Sequence, residues 1–111
     1  MRLIKIPKDG AASSKLELEE FTGDEIPKYA ILSHTWTKQE VLFEDVKTNQ
    51  AHTKAGFRKL IFAADQARAH ELEYLWVDTC CIDKSSSSDL QEAINSMYAW
   101  YRDACIGLRI G

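Results

Sequence analysis

Two polar segments of this 111-residue chain carry the side chains that could do chemistry. Ser33 and His34 follow the apolar run YAIL, and Asp78 follows the apolar run YLWV. If both runs are parallel strands, their carboxyl ends meet at one edge of a sheet, where open α/β sheets bind ligands. Ser33, His34 and Asp78 are therefore the candidate catalytic residues, although their types alone do not specify a reaction.

A serine hydrolase would use these three side chains as nucleophile, base and acid. Successive strand residues point to opposite faces, so Ser33 and His34 are poorly placed to share a hydrogen bond. The chain also lacks the Gly-x-Ser-x-Gly turn of many hydrolases. Each residue has a structural alternative: His34 as a histidine bonded to backbone, and Asp78 as a carboxylate that caps neighbouring amides. The convergence of two polar strand ends is what favours a site.

The adjacent Cys80 and Cys81 could be nucleophiles, metal ligands or packing residues. Neighbouring Cα atoms lie about 3.8 Å apart, which is below the usual span of a disulfide. Structural zinc sites need four ligands, commonly with Cys-x-x-Cys spacing, and no second cysteine pair exists here. We therefore predict no metal site and expect both cysteines to be buried as small hydrophobic residues.

Composition limits the class of protein. A net charge of −3, with lysine and arginine scattered among acids, gives no basic surface for nucleic acid. No segment approaches the ~20 apolar residues that span a bilayer, and the amino terminus is charged where a signal peptide would be apolar. We expect one small soluble domain in the cytoplasm.

The elements that must position the candidate residues follow from hydrophobic patterning. The runs RLIKI and KLELEEF, joined by KDGAASS, predict a β-hairpin, so residues 1–28 form a hairpin and loop and residues 29–111 an α/β core. An amphipathic helix from Thr53 to about Glu71 links the strand before Ser33 to a buried central strand at Tyr74–Val77. Between them, residues 37–49 read as a loop with one short element.

A second helix is predicted to begin at Ser88, because Ser88 and Gln91 match a capping box, and to end near Asp103. An apolar stripe on this helix should pack on the sheet; it comprises Leu90, Ile94, Met97, Tyr98 and Tyr101. The aromatic residues Trp76, Tyr98, Trp100 and Tyr101 are better explained by a core than by an aromatic cage. Asn95 lies either on the surface or in a link to the sheet edge. A third strand follows in ACIGLRIG.

Several longer segments carry a family resemblance: IPKYAILSHTW, KAGFRKLIFAADQARAHELEYLWVDTCCIDK and SSSSDLQEAINSMYAWYRDA. Together they resemble the N-terminal part of a fungal heterokaryon incompatibility (HET) domain over nearly the whole chain. The resemblance implies a role in self/non-self recognition and cell death after fusion of incompatible cells. It places signature positions at Ser33, His34, Trp36, Asp78, Cys80, Cys81, Ile82, Asp83 and Asn95.

The resemblance extends distantly to TIR domains, which implies a small three-layer, flavodoxin-like parallel sheet with flanking helices. Some TIR domains cleave NAD, so an NAD hydrolase is the enzymatic alternative, with NAD as substrate and no resident cofactor. A later motif that would supply a catalytic glutamate is not found here, and Thr37 stands where the family commonly has glycine. We therefore expect an incomplete domain, truncated after the third core strand, that is not an enzyme on its own.

The expected partners are other HET-domain or incompatibility proteins, or a second copy of the chain. A further alternative makes the chain a regulatory module that binds full-length HET proteins.

Overall fold

The computed structural model describes residues 1–7, 16–34 and 36–110. These residues form five strands and three α-helices, in the order β1 (Arg2–Lys5), β2 (Glu17–Glu20), β3 (Ala30–His34), α1 (Phe43–Lys47), α2 (Phe57–Ala69), β4 (Tyr74–Val77), α3 (Ser87–Asp103) and β5 (Ile106–Ile110). Short 3₁₀ turns lie at Gly23–Glu25 and Ala51–Thr53. The predicted hairpin strands, the short element in residues 37–49 and the third core strand are all present, whereas the KDGAASS turn lies outside the described residues.

All five strands form one sheet in the order β2-β1-β4-β3-β5. β3 is parallel to both β4 and β5, but β1 pairs antiparallel with β2 and with β4. The sheet is therefore mixed, and the prediction of a parallel sheet holds only for its last three strands. The reason is that the hairpin is not a separate appendage: Ile4 pairs with Leu75, so β1 covers the edge that β4 would otherwise expose.

The two long helices lie on opposite faces of this sheet. Leu75 lines a small apolar cavity together with Leu60 and Ala64 of α2. The next residue, Trp76, instead has its ring 5.6 Å from that of Trp100 on α3. Since successive strand residues alternate between faces, the molecule has three layers, with β4 at the centre. Leu75, Trp76 and Val77 are at most 1% exposed, which confirms the predicted buried central strand.

The helix starts differ from those predicted. α2 begins at Phe57, four residues after Thr53, because residues 51–53 form a 3₁₀ turn and the amide of Gly56 donates to the carbonyl of Gln39. α3 begins at Ser87, and its N-cap is Ser86, whose Oγ accepts from the amide of Asp89. The predicted capping box at Ser88 is wrong.

The apolar stripe of α3 is also rotated from the predicted one. Leu90 and Met97 pack on the core as expected, but Ile94 is 62% exposed and Tyr98 is 80% exposed. Ala93 and Trp100 take their places against the sheet. Both sets satisfy a helical period, so spacing alone could not choose between them. Tyr98 therefore does not belong to the core.

In the described part of the chain, each helix is too short or too polar to cross a membrane.

Candidate functional site

The structure brings His34 and Asp78 together from neighbouring strand ends. His34 is the last residue of β3, and Asp78 directly follows β4. Nε2 of His34 lies 3.4 Å from Oδ1 of Asp78. The imidazole is 2% exposed and the Asp78 side chain is 21% exposed, so Asp78 is the member of the pair that solvent can reach.

Ser33 lies on the other face of the sheet. Its hydroxyl donates to the Tyr101 hydroxyl of α3 over 3.3 Å, whereas His34 faces α2. The alternation of strand side chains thus separates the two residues, as the sequence predicts. The Ser-His-Asp arrangement is not formed, and Ser33 is not part of the site around Asp78.

Glu40 completes the site from the loop after β3, and the sequence analysis missed it. Its Oε1 lies 3.4 Å from Nδ1 of His34, and its side chain is 5% exposed. The Thr37 amide and hydroxyl both donate to Oε2, over 2.8 Å and 3.0 Å. A Thr-x-x-Glu spacing is the local signal for this bonded turn, but nothing local indicates that the carboxylate is buried against a histidine.

Lys59 of α2 supplies the countercharge, and sequence analysis missed it too. Its Nζ donates to Oε2 of Glu40 over 2.7 Å and lies 3.4 Å from Nδ1 of His34. We call Lys59, Glu40, His34 and Asp78 the buried ionic cluster. Its two central members, His34 and Glu40, are at most 5% exposed, whereas Asp78 at one end and Lys59 at the other are about one-fifth exposed.

The pKa of Glu40 reflects two opposing influences. Burial raises the pKa of its carboxyl, but the hydrogen bonds from Lys59 and then from Thr37 together lower it by more, and the net shift is downward from 4.5. The carboxyl is therefore ionised at neutral pH. Glu40 presents a fixed negative charge to the Nδ1 side of His34.

Gly56 allows the loop that carries Glu40 to pack against the start of α2. Its amide donates to the carbonyl of Gln39 over 2.8 Å. A Cβ at this position would lie 2.8 Å from that carbonyl oxygen and 2.8 Å from Oε1 of Glu40. The backbone of Gly56 is in the ordinary helical region, so its conformation does not require glycine. Glycine is needed because a Cβ would not fit.

Two atoms at the centre of the site have no hydrogen-bond partner among the described residues. These are Nε2 of His34 and Oδ1 of Asp78, which face each other across 3.4 Å. A well-aligned hydrogen bond between nitrogen and oxygen is shorter, at about 2.7–3.2 Å. A small shift of Asp78 would form it, so the histidine is placed to orient and hydrogen-bond the carboxylate that faces solvent.

The adjacent cysteines take no part in the cluster. Cys80 is fully buried and Cys81 is 3% exposed, and the Val77 amide donates to Sγ of Cys81 over 3.3 Å. The hydrogen bond with Cys81 and burial both raise the pKa of the Cys80 thiol. Both residues are buried as small hydrophobic groups, as predicted.

The remaining signature positions surround a separate cleft or lie on the surface. Trp36 is 54% exposed, and Nζ of Lys84 lies 4.0 Å from its ring centroid. Asp83 accepts from the amide and hydroxyl of Ser85. Asn95 is exposed, and its side-chain oxygen accepts a hydrogen bond from the Gln91 amide. Of the two predicted positions for Asn95, the surface is therefore the correct one.

The cleft beyond the carboxyl end of β4 has a volume of about 320 Å³. Its walls mix apolar and charged side chains from α1 and from the loop after β4: Leu42, Phe43, Glu44, Thr79, Ile82, Asp83, Lys84 and Ser85. This volume falls at the lower end of the range for small-molecule sites, about 300–1,000 Å³. It lies on the same edge of the sheet as Asp78, where the sequence predicts a crevice.

Comparison with known proteins gives the family. A model of the family described as "Heterokaryon incompatibility protein (HET)" matches residues 29–109, which include β3, β4, all but the last residue of β5 and the whole buried ionic cluster. The chain is 49% identical over 106 residues to the vegetative incompatibility protein HET-E-1 of Podospora anserina, a match that covers 94% of this chain and 8% of that protein. No solved structure matches. The chain belongs to the heterokaryon incompatibility (HET) family.

Proposed function

We propose that this chain acts in fungal vegetative incompatibility, where it contributes to self/non-self recognition and to the cell-death signal through association with other incompatibility proteins. The observation that carries the proposal is the 49% identity to a vegetative incompatibility protein over 94% of the chain. At that level of identity the two chains share a fold over the matched residues.

The surface supports a role in association. Among the residues that the structure describes, three large apolar side chains are more than half exposed: Tyr98 at 80%, Ile94 at 62% and Trp36 at 54%. Ile94 and Tyr98 are one turn apart on α3, so they form a contiguous apolar patch. Such patches commonly mark interaction surfaces.

Expression in a fungal host from an inducible promoter tests this proposal. Induction of the wild-type chain should reduce the count of viable cells, and Trp76→Ala should abolish the effect because it empties the fully buried centre of the core. Phe62→Ala is the matched control, since this aromatic side chain is 48% exposed. Normal viability in cells that accumulate folded wild-type protein, both alone and after fusion with an incompatible strain, would contradict the proposal.

A second candidate function is hydrolysis of NAD at the Asp78 edge. Its support is the buried ionic cluster, in which the partly exposed carboxylate of Asp78 lies next to the buried ring of His34 at the carboxyl ends of two parallel strands. The three parallel strands, taken in chain order, also lie side by side as second, first, third, the order with which flavodoxin-like sheets begin. TIR-like folding of this kind is part of the same proposal.

In this reaction water would replace nicotinamide on the ribose, giving ADP-ribose, and Asp78 would orient the attacking water or a ribose hydroxyl. The test is nicotinamide release by the purified chain at high concentration. Asp78→Asn should abolish the release, while Asp65→Asn should not, because the exposed Asp65 lies on α2 and pairs with Arg68. Absence of turnover by the folded wild-type chain would exclude this candidate for the chain itself.

A further inference from the structure

The ring of His34 has polar neighbours on both of its nitrogens. Oδ1 of Asp78 lies 3.4 Å from Nε2, while Nζ of Lys59 and Oε1 of Glu40 each lie 3.4 Å from Nδ1. The imidazole is only 2% exposed, so its nitrogens depend on these neighbours for hydrogen bonds. A neutral imidazole has one N–H donor and one acceptor nitrogen, and the bond made by one nitrogen decides which is which. The neighbours therefore determine where the ring hydrogen lies.

Lys59 determines the role of Nδ1. An ammonium group has three donors and no acceptor, so a hydrogen bond between Lys59 and Nδ1 uses the lone pair of that nitrogen. The ring hydrogen of a neutral His34 is then on Nε2, where it faces the Asp78 carboxylate. Nε2 of His34 and Oδ1 of Asp78 lack a partner among the described residues. With the hydrogen on Nε2, each becomes the partner of the other.

The other two protonation states of the ring bring like groups together. A hydrogen on Nδ1 alone would make Nε2 and Oδ1 of Asp78 two acceptors that face each other, and Nδ1 and Nζ of Lys59 two donors. Hydrogens on both nitrogens would place an imidazolium 3.4 Å from the Lys59 ammonium. Glu40 does not depend on a ring hydrogen, because its carboxylate already accepts from Lys59 and twice from Thr37.

The Lys59 ammonium is itself held in place. Its Nζ donates to Oε2 of Glu40 over 2.7 Å, and its side chain is 19% exposed. Because an ammonium has three donors, its bonds to Glu40 and to His34 do not compete for one hydrogen. Lys59 thus reaches from α2 to two members of the buried ionic cluster at once.

We propose that Lys59 is a positioning residue that fixes His34 as the Nε2–H tautomer, so that the ring donates to Oδ1 of Asp78. The proposal deepens the hydrolysis proposed at the Asp78 edge, on which it rests for its chemical consequence. Oδ1 is buried and bonded to the ring, which leaves Oδ2 as the oxygen of Asp78 that a ligand can reach. A carboxylate oxygen is an acceptor only, so the ligand must bring a donor there: a water, a hydroxyl or an N–H group.

NMR of the ¹⁵N-labelled chain at neutral pH tests the tautomer. Long-range ¹H–¹⁵N correlations within the imidazole show which nitrogen carries hydrogen, and His34→Gln identifies the His34 signals among those of the three histidines. In wild type the hydrogen should be on Nε2. Lys59→Met keeps a flexible side chain but removes the ammonium, so Nδ1 should gain a hydrogen that faces Glu40, and its resonance should move upfield. Lys59→Arg retains a donor and should keep the hydrogen on Nε2 alone.

Arg58→Met is the matched control, since Arg58 is exposed on the same helix, and it should leave the ring signals unchanged. A merely structural role for Lys59 predicts a less stable Lys59→Met protein with the hydrogen still on Nε2 alone, and that result would overturn the inference. A wild-type ring with its hydrogen on Nδ1, or on both nitrogens, would overturn it as well, even where Lys59→Met does not fold. No substrate enters this measurement, so the tautomer can be wrong while nicotinamide release stands, and a lack of release leaves the NMR result intact.

Discussion

The Nζ of Lys59 lies 2.7 Å from Oε2 of Glu40, and this ion pair joins the loop after β3 to helix α2. Glu40 is 5% exposed, so its charge has lost most of its hydration. A buried ion pair adds little net stability over an apolar pair, but removal of one partner leaves an uncompensated charge or donor. The value of this pair is therefore that it fixes Glu40, and through it the ring of His34, in one position.

Glu40→Gln should destabilise the fold by about 3 kcal/mol at neutral pH, because a neutral amide replaces the buried carboxylate that pairs with Lys59. Urea unfolding followed by tryptophan fluorescence measures the change. Glu44→Gln is the matched control, since Glu44 is exposed on α1, and it should stay within about 0.5 kcal/mol of wild type. Equal effects of the two substitutions would show that the Glu40 carboxylate is not buried against Lys59.

Stability should also depend on acid pH through Glu40. Its pKa in the fold is below 4.5, the ordinary value that applies to the unfolded chain. The ionised form is thus favoured by folding, and this contribution is fully present above pH 4.5 and is lost as pH falls through the lowered pKa. Asp83 and Asp103 also have lowered pKa values. Both carboxyls are present in wild type and in Glu40→Gln, so their contributions cancel in the difference between the two proteins.

The measurement is the free energy of unfolding of wild type and Glu40→Gln at several pH values below neutrality. The gap between the two proteins should narrow as the pH falls through the lowered pKa of Glu40. A gap that is independent of pH down to the acid transition would contradict the assignment.

The parts of the fold that could be predicted from sequence are those set by local pattern. The uninterrupted apolar run at Tyr74–Val77 specifies a strand buried on both faces, and that is what β4 is. His34 and Asp78 could be brought together because parallel strands end at one edge. Glu40 and Lys59 could not be found from sequence. Glu40 reaches the site only because its loop packs against Gly56, and Lys59 only because the tertiary structure directs its face of α2 toward that loop.

Gly56→Ala should be destabilising by about 2 kcal/mol, because the new methyl group would lie 2.8 Å from a backbone oxygen that cannot easily move. The loss outweighs the few tenths to 1 kcal/mol that alanine gains over glycine in the unfolded chain. Gly107→Ala is the control, since its Cβ meets no described atom within 4 Å. Thermal unfolding of both variants makes the comparison, and a Gly56→Ala protein as stable as Gly107→Ala would refute the close approach.

The three cysteines should differ sharply in reactivity. Cys80 and Cys81 are buried and the pKa of Cys80 is raised, whereas Cys105 is exposed. Ellman's reagent should therefore modify one thiol quickly in the folded chain and all three in urea. Cys105→Ser should remove the fast reaction and leave the slow one. Rapid modification of the Cys105→Ser protein in its folded state would mean that the Cys80–Cys81 segment opens readily.

Ser86 and Ser88 lie in one run of serines, and either could cap α3 by residue type, but they have different environments in the structure. Ser86 caps the helix by accepting from the Asp89 amide over 3.3 Å, while Ser88 is exposed and its hydroxyl lies 3.2 Å from that of Ser86. The Asp89 carboxylate in turn accepts from Arg2 of β1 and from the Asp83 amide, so this turn joins the helix to the sheet.

Ser86→Ala should therefore lower the free energy of unfolding by about 1 kcal/mol, the usual cost of a lost N-cap. Ser88→Ala should change it by less than about 0.5 kcal/mol, since alanine is the better helix former at an exposed position. Urea unfolding of the two variants decides between the caps. A larger loss in Ser88→Ala than in Ser86→Ala would mean that the helix starts where the capping-box pattern places it, and Asp89 would then no longer be held where it can bind both Arg2 and the loop after β4.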